Sequence, residues 1–157
     1  MLPRLRKATA NDIHAIAAFI APHANAERQL PRTPRAIAER LRDWTVAVRG
    51  EQIVGAASVR LVDVALAEIS VVVGQDESVE AALIDSLLDE TRGLGVGRIF
   101  VATNDPGPFE AWGFIQRPIA AIPEKHDRQC LRCARMPRCL KVGMERELAV
   151  EPLRAVG

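Results

Sequence analysis

The sequence predicts a mixed α/β (α+β) fold, a β-sheet carrying helices on its faces, and three observations support this. Apolar residues recur at helical spacing over 13–20, 37–41 and 79–88. Between and beyond these stretches lie short runs rich in β-branched and apolar residues, bounded by turn signals. The two patterns alternate in the order β-α-α-β-β-β-α-β-α-β-β, which makes a mixed sheet with helices packed on it.

In chain order, residues 5–8 form the first strand, and Thr9 with Asp12 three residues later makes a capping-box start to a helix. Ile13, Ile16, Ala17 and Ile20 fall at i, i+3, i+4 and i+7, so that helix buries one face. A polar loop, 23–32, leads to Thr33 and Pro34, the cap and first position of a second helix carrying Ile37 and Leu41. Residues 44–48 and 53–61 are strands joined through Arg49-Gly50-Glu51-Gln52, a hairpin turn. A turn near Asp63 opens strand 64–73. Helical spacing returns over 78–92 through Val79, Leu83, Leu87 and Leu88, and the glycines of 93–97 stop it. Residues 98–103 are a strand, 106–112 a short helix ended by Gly113, 114–117 a strand and 142–148 the last strand. One domain accounts for 1–150, and 151–157 reads as a tail.

The 157 residues carry a net charge of +1, with 48% apolar and 26% charged side chains, the balance of a soluble globular protein. Disordered, collagenous and nucleic-acid-coating classes are excluded by it. No run approaches the roughly 18 apolar residues of a membrane span, and the first ten residues lack the apolar core of a signal peptide. A cytoplasmic protein with no membrane partner is expected. Tyrosine is absent, which removes one common catalytic acid.

Four segments narrow the reading: Leu30-Pro31-Arg32-Thr33 before the second helix, Leu66-Ala67-Glu68-Ile69 in the fourth strand, Phe109-Glu110-Ala111-Trp112-Gly113-Phe114 near the end, and Cys130-x-x-Cys133-x-x-x-Pro137-x-Cys139 before the last strand. Together with the element order they resemble the GNAT acyltransferases, and among these the short single-domain amino-acid N-acetyltransferases of the N-acetylglutamate synthase type. The resemblance covers nearly the whole chain. It implies a mostly antiparallel central sheet, acetyl-CoA as cofactor and a small, glutamate-like amino acid as acceptor.

In that fold the acyl-CoA pyrophosphate rests on backbone N–H groups of a loop reading Gln/Arg-x-x-Gly-x-Gly/Ala, between the fourth strand and the next helix. Unpaired donors and the positive end of the helix dipole favour an anion there. This chain instead reads Gly74-Gln75-Asp76-Glu77-Ser78, which is shorter, has one glycine and carries two carboxylates. Arg92-Gly93-Leu94-Gly95-Val96-Gly97 fits the loop's pattern letter for letter, but it follows a helix and leads into a strand, so it reads as a helix stop. Residues 61–91 hold eight carboxylates (Asp63, Glu68, Asp76, Glu77, Glu80, Asp85, Asp89 and Glu90) and no Lys or Arg. Two like charges about 4 Å apart repel by roughly 1 kcal/mol even in water. A diphosphate at this junction therefore needs compensation from elsewhere, from Arg98 or the C-terminal arginines.

Acetyl transfer to an amine calls for a base, an oxyanion donor and an acid for the leaving thiolate. Glu68, a carboxylate in an apolar strand, is the candidate base; alternation alone leaves it equally free to face water. The resemblance assigns the backbone N–H groups of Val71, Val72 and Val73 to the thioester carbonyl, and Asn104 and Phe109 to the cofactor site. Phe109 stands where many relatives carry a tyrosine acid, and a thiol of pKa about 8.5 leaves more slowly without one. Arg28 and Arg32 are candidates for bidentate pairing with the acceptor's α-carboxylate, with solvated loop arginines as the alternative. Ser70 takes the place of an arginine common in the family.

His126, Cys130, Cys133 and Cys139 offer four ligands at close spacing. A single Cys-x-x-Cys with two stragglers falls short of a paired zinc knuckle, and the resemblance implies no metal, so a thiol-bearing loop without zinc is expected. Residues 114–146 carry eight basic side chains against three acidic ones. Set against the acidic 61–91 stretch, this basic segment points to a homodimer or an acidic protein partner, and the lack of interleaved aromatics argues against nucleic acid. The function read from the sequence is weak acetyl transfer from acetyl-CoA to a small, glutamate-like amino acid. The alternative is a catalytically lapsed GNAT domain acting as a binding or regulatory subunit; the altered loop and the missing tyrosine leave enzymatic activity open.

Overall fold

The computed structural model describes residues 2–23, 32–122 and 141–150. Its elements are β1 (Arg4–Lys7), α1 (Ile13–Ile20), α2 (Pro34–Glu39), β2 (Trp44–Arg49), β3 (Gln52–Asp63), β4 (Leu66–Gly74), α3 (Glu77–Gly93), β5 (Arg98–Thr103), α4 (Gly107–Glu110), β6 (Ile115–Arg117) and β7 (Val142–Glu147). Their order is the one read from the sequence, with boundaries moved by a residue or two. The fourth strand starts late because Val64 and Ala65 form the turn itself, where Asp63 Oδ1 accepts the Val64 N–H at 2.6 Å.

The strands form one seven-stranded sheet in the order β1-β2-β3-β4-β5-β7-β6. Every neighbouring pair is antiparallel except β4 with β5. Ile16, Ile20 and Ile37 from α1 and α2 pack on one face against Trp44, Val46, Val48, Ala56, Val71 and Val73. On the other face α3 buries Val79, Leu83, Ile84, Leu87 and Leu88 against Ala47, Ala57, Val59, Ala67 and Ile69. Each buried Val, Leu or Ile among these contributes about 2 kcal/mol of transfer free energy. At Gly55 the helix comes so close that a Cβ would lie 2.6 Å from Val79 Cγ1, so this position demands a residue without a side chain.

Two irregularities in the β3–β4 hairpin set which side chains meet. β3 carries an extra residue between Leu61 and Asp63, which brings Arg60 opposite Glu68. β4 carries an extra residue, Ser70, because Ser58 pairs with Val71 while Val59 pairs with Ile69. Such bulges bend a strand and re-aim its side chains.

The entry into α1 is fixed by charge. Asp12 Oδ2 accepts the Thr9 N–H at 2.7 Å, closing the capping box, and its two oxygens receive a bidentate pair from Arg6 at 2.7 and 3.0 Å. These bonds tie β1 to the first turn and hold the Asp12 carboxyl down to about 2. Among the described residues no helix is long and apolar enough to cross a membrane.

Because the Asp12 carboxyl is depressed on folding, its stabilising contribution is present above the ordinary aspartate range and is lost as pH falls through the folded value. We expect about 2 kcal/mol of folding stability to disappear between roughly pH 5 and pH 1, and Asp12→Asn to remove that part of the pH dependence. Denaturant unfolding of both proteins across this range checks it, and an unchanged acid limb in the variant would rule the account out.

Candidate functional site

Parallel pairing of β4 with β5 is short. It runs through Ala67↔Ile99, Glu68↔Phe100 and Ile69↔Val101 and stops there, one residue before the Ser70 bulge. Beyond it β4 stays with β3 as far as Gly74, while Ala102 and Thr103 of β5 stay with Gly143 and Val142 of β7. The two central strands therefore part company, leaving a cleft whose walls are the C-terminal halves of β4 and β5.

Glu68 lies at the root of this cleft. Its cross-strand partners Arg60 and Phe100 place it on the sheet face that carries α1 and α2, away from α3. It is 5% exposed, so the reading in which it faces water does not hold. Arg60 Nη2 lies 3.2 Å from Glu68 Oε2, which supplies the opposite charge that a buried carboxylate requires. Two residues on, Ser70 Oγ is buried and has no hydrogen-bond partner among the described residues.

The Val71, Val72 and Val73 segment forms the β4 wall. Gln75 donates its N–H to Val54 O of β3 at 2.8 Å, so strand alternation sends the N–H groups of Val73 and Val71 toward β3 as well. Of the three, Val72 is the one whose N–H is directed to the cleft side. On the β5 wall Asn104 is exposed in the bend after Thr103. Phe109, in α4, is 8% exposed and stacks edge-on against Phe114 at 5.5 Å, within the main apolar core. What Phe109 offers is an apolar wall with no transferable proton.

The junction from β4 to α3 is built around Asp76. It is the N-cap of α3: Asp76 Oδ1 accepts the Val79 N–H at 3.0 Å and the Ser78 hydroxyl at 2.6 Å. These hydrogen bonds hold the Asp76 carboxyl below the usual aspartate range. Arg49 Nη1, at the end of β2, stands 3.9 Å from Asp76 Oδ2. Compensation for the acidic junction thus comes from Arg49, which sequence reasoning missed, and not from Arg98. Arg98 begins β5, about 16 Å along the strand from Thr103, and its Nε donates to Glu145 at 2.8 Å. Of the C-terminal arginines, Arg117 pairs with the same carboxylate at 3.3 Å and Arg146 donates to Trp112 O at 2.7 Å.

The residues present fit the two ends of a coenzyme A thioester unequally. The β4–β5 cleft has strand walls and a buried carboxylate at its root, which suits a narrow thioester arm and a reacting amine. The α3 N-terminus does not suit a diphosphate, because Asp76 places a carboxylate there and takes the Val79 N–H and the Ser78 hydroxyl. Gly74 closes the turn further: a Cβ there would meet Glu80 N at 2.8 Å and Asp76 O at 3.1 Å. Arg32 is half-buried immediately before the Thr33 cap of α2, whose side chain accepts the Ala36 N–H; Arg28 lies outside the described residues. So do His126, Cys130, Cys133 and Cys139, and among the described residues no group of three or more His, Cys, Asp or Glu could hold a metal ion.

A buried hydroxyl without a partner forfeits about 1–3 kcal/mol of solvation. Ser70→Ala is accordingly expected to leave the fold as stable or up to about 1 kcal/mol more stable in urea unfolding. A loss of more than about 1 kcal/mol would show that the hydroxyl is bonded within the folded chain.

No family model matches the chain. Over 148 residues it is 26% identical to an uncharacterized N-acetyltransferase of Chlorobaculum tepidum, covering 92% of this chain and 96% of that one. Among solved structures it superimposes on Rv2747 of Mycobacterium tuberculosis in complex with CoA, with a TM-score of 0.80 at 21% identity, covering 94% of this chain and all of the other. It also superimposes on N-acetylglutamate synthase of Neisseria gonorrhoeae complexed with coenzyme A and N-acetyl-glutamate, with a TM-score of 0.82 at 20% identity; 95% of this chain matches 36% of that one. A GNAT superfamily phosphinothricin acetyltransferase of Sinorhizobium meliloti, in complex with AcCoA, gives a TM-score of 0.73 at 17% identity over 99% of this chain and 95% of its own. The chain shares its fold with these structures, and its seven-stranded, mostly antiparallel sheet with flanking helices is a GNAT fold.

Proposed function

We propose that the chain transfers an acetyl group from an acetyl thioester to the amine of a small, glutamate-like amino acid, at a low rate. The observation that carries this reading is the buried Glu68 at the root of the β4–β5 cleft. Support for the acceptor class comes from the Neisseria gonorrhoeae neighbour, which was crystallised with N-acetyl-glutamate.

In this reading Glu68 takes a proton from the acceptor's ammonium group, with Arg60 holding the carboxylate in place. The freed amine forms a C–N bond to the acetyl carbon as the C–S bond breaks. Of the Val71, Val72 and Val73 segment, the Val72 main-chain N–H, the one directed to the cleft side, steadies the oxyanion. With phenylalanine at position 109, the thiolate departs without a tyrosine to protonate it; the second amine proton is lost to solvent as the amide forms and solvent protonates the thiolate, which keeps the reaction slow. Arg32, immediately before the Thr33 cap of α2, and Arg28, four residues earlier in the sequence, are the proposed partners of the acceptor carboxylate. Asn104 and Phe109 line the far wall.

A second reading is favoured by two specific features: the carboxylate-capped α3 and the proton-free Phe109. In it the chain is a lapsed GNAT domain that binds but does not turn over, serving as a subunit of a larger assembly through its basic 114–146 segment.

The two readings separate by thiol release from acetyl-CoA in the presence of glutamate and other amino acids. Transfer predicts slow amino-acid-dependent release, and Glu68→Gln lowers kcat by about 10²- to 10⁴-fold with little change in KM. No release with any amino acid, or a fully active Glu68→Gln protein, would sink the transferase reading.

A further inference from the structure

The start of α3 is a helix terminus at which the chain's own N-cap carboxylate already takes donors. Four main-chain N–H groups open an α-helix without partners in the preceding turn, and together they form a site for negative charge. Here the Val79 N–H and the Ser78 hydroxyl both go to Asp76 Oδ1, while the Glu80 N–H makes the first ordinary helical bond, to Asp76 O at 3.1 Å. The cationic complement is supplied from within as well, by Arg49 at 3.9 Å from Asp76 Oδ2. On the side nearest β4, Glu80 Oε1 approaches the Gly74 N–H at 3.4 Å, so a second carboxylate lies against the same turn. Glu77, exposed in the first turn, adds a third. The turn is also closed sterically, since the space beside the Gly74 Cα is filled by the Glu80 and Asp76 backbone.

We propose that the Asp76 carboxylate occupies the position a nucleotide diphosphate would take at this helix. The donor accepted by the chain is then an acyl thioester held by its pantetheine arm in the β4–β5 cleft, with no contribution from the diphosphate. The part of this inference that concerns the donor rests on the acyl-transfer reading of the cleft; the part that concerns the helix does not. Physically, a doubly charged group brought to this turn meets, among the described residues, three carboxylates and one arginine, and it can gain the Val79 and Ser78 donors only by displacing Asp76.

The test compares inorganic pyrophosphate, acetyl-CoA and S-acetyl-pantetheine on the full chain and on Asp76→Asn. Asparagine keeps an N-cap oxygen for the Val79 N–H while removing the charge, so the helix start is preserved. In the native chain, pyrophosphate should leave the amide resonances of 75–80 unmoved, and the two thioesters should bind with dissociation constants within about twofold of one another by calorimetry. In Asp76→Asn, pyrophosphate should move those amides, and acetyl-CoA should gain about tenfold over S-acetyl-pantetheine. The proposal is overturned if pyrophosphate moves those amides in the native chain, if native acetyl-CoA binds tenfold or more tightly than S-acetyl-pantetheine, or if the variant stays silent to pyrophosphate. If neither thioester binds the native chain while pyrophosphate moves the amides only in the variant, the acyl-transfer reading fails and the occupation of the helix by Asp76 stands.

Discussion

One inserted residue governs the geometry of the cleft. Were Ser70 an ordinary strand residue rather than a bulge, strict alternation would put Ala67, Ile69, Val71 and Val73 on a single face of β4, all against α3. The bulge changes the phase: Ala67 and Ile69 face α3, while Val71 and Val73 pack with α1 and α2. Glu68 then shares its face with the two valines that follow, and the wall of the cleft continues from the buried carboxylate toward the β4–α3 junction. Parallel pairing with β5 ends one residue before this shift, so the change of phase and the parting of the strands occur together. A strand that bends as it gains a residue can no longer keep register with a straight neighbour.

Charge is managed locally in this chain, although the whole carries only +1. Each buried carboxylate has an arginine beside it: Asp12 has Arg6, Glu68 has Arg60, and Glu145 has both Arg98 and Arg117. Removing one member would leave a buried charge uncompensated, which is far costlier than the pair is stabilising. The α3 start follows the same habit in the open, with Asp76 answered by Arg49 and by the helix's own donors. The negative charge at this helix start is thus supplied by the chain itself.

Element order was legible because each helix and strand announces itself locally: the Thr9–Asp12 capping box, the Gly50 turn at a φ of 61°, and the Gly113 stop at a φ of 80°. Long-range pairings were not. Counting back from the Val64-Ala65 turn places Leu61 opposite Glu68, and only the extra residue in β3 moves Arg60 there. No composition or spacing signal marks that residue, so the partner of Glu68 could not be read from the sequence. Arg49 is similar: it belongs to a hairpin far along the chain from Asp76, and only the sheet brings the hairpin beside α3. The acidic character of the junction was plain from its letters, whereas the way Asp76 spends that charge on Val79 and Ser78 depends on where α3 begins.

The two margins of the sheet have a consequence for the behaviour of the protein at high concentration. A bare strand flank is a template on which a second molecule can add its own backbone. Here the outer strand on one side, β1, reads Arg-Leu-Arg-Lys, with Arg6 and Lys7 drawn into ion pairs with Asp12 and Glu90. On the other side β6 has only three residues and ends in Arg117. A copy docking edge to edge would have to strip water from arginines and lysine on one flank and would find almost no backbone to grip on the other. Charge on one flank and shortness on the other are both features that disfavour such edge-to-edge addition.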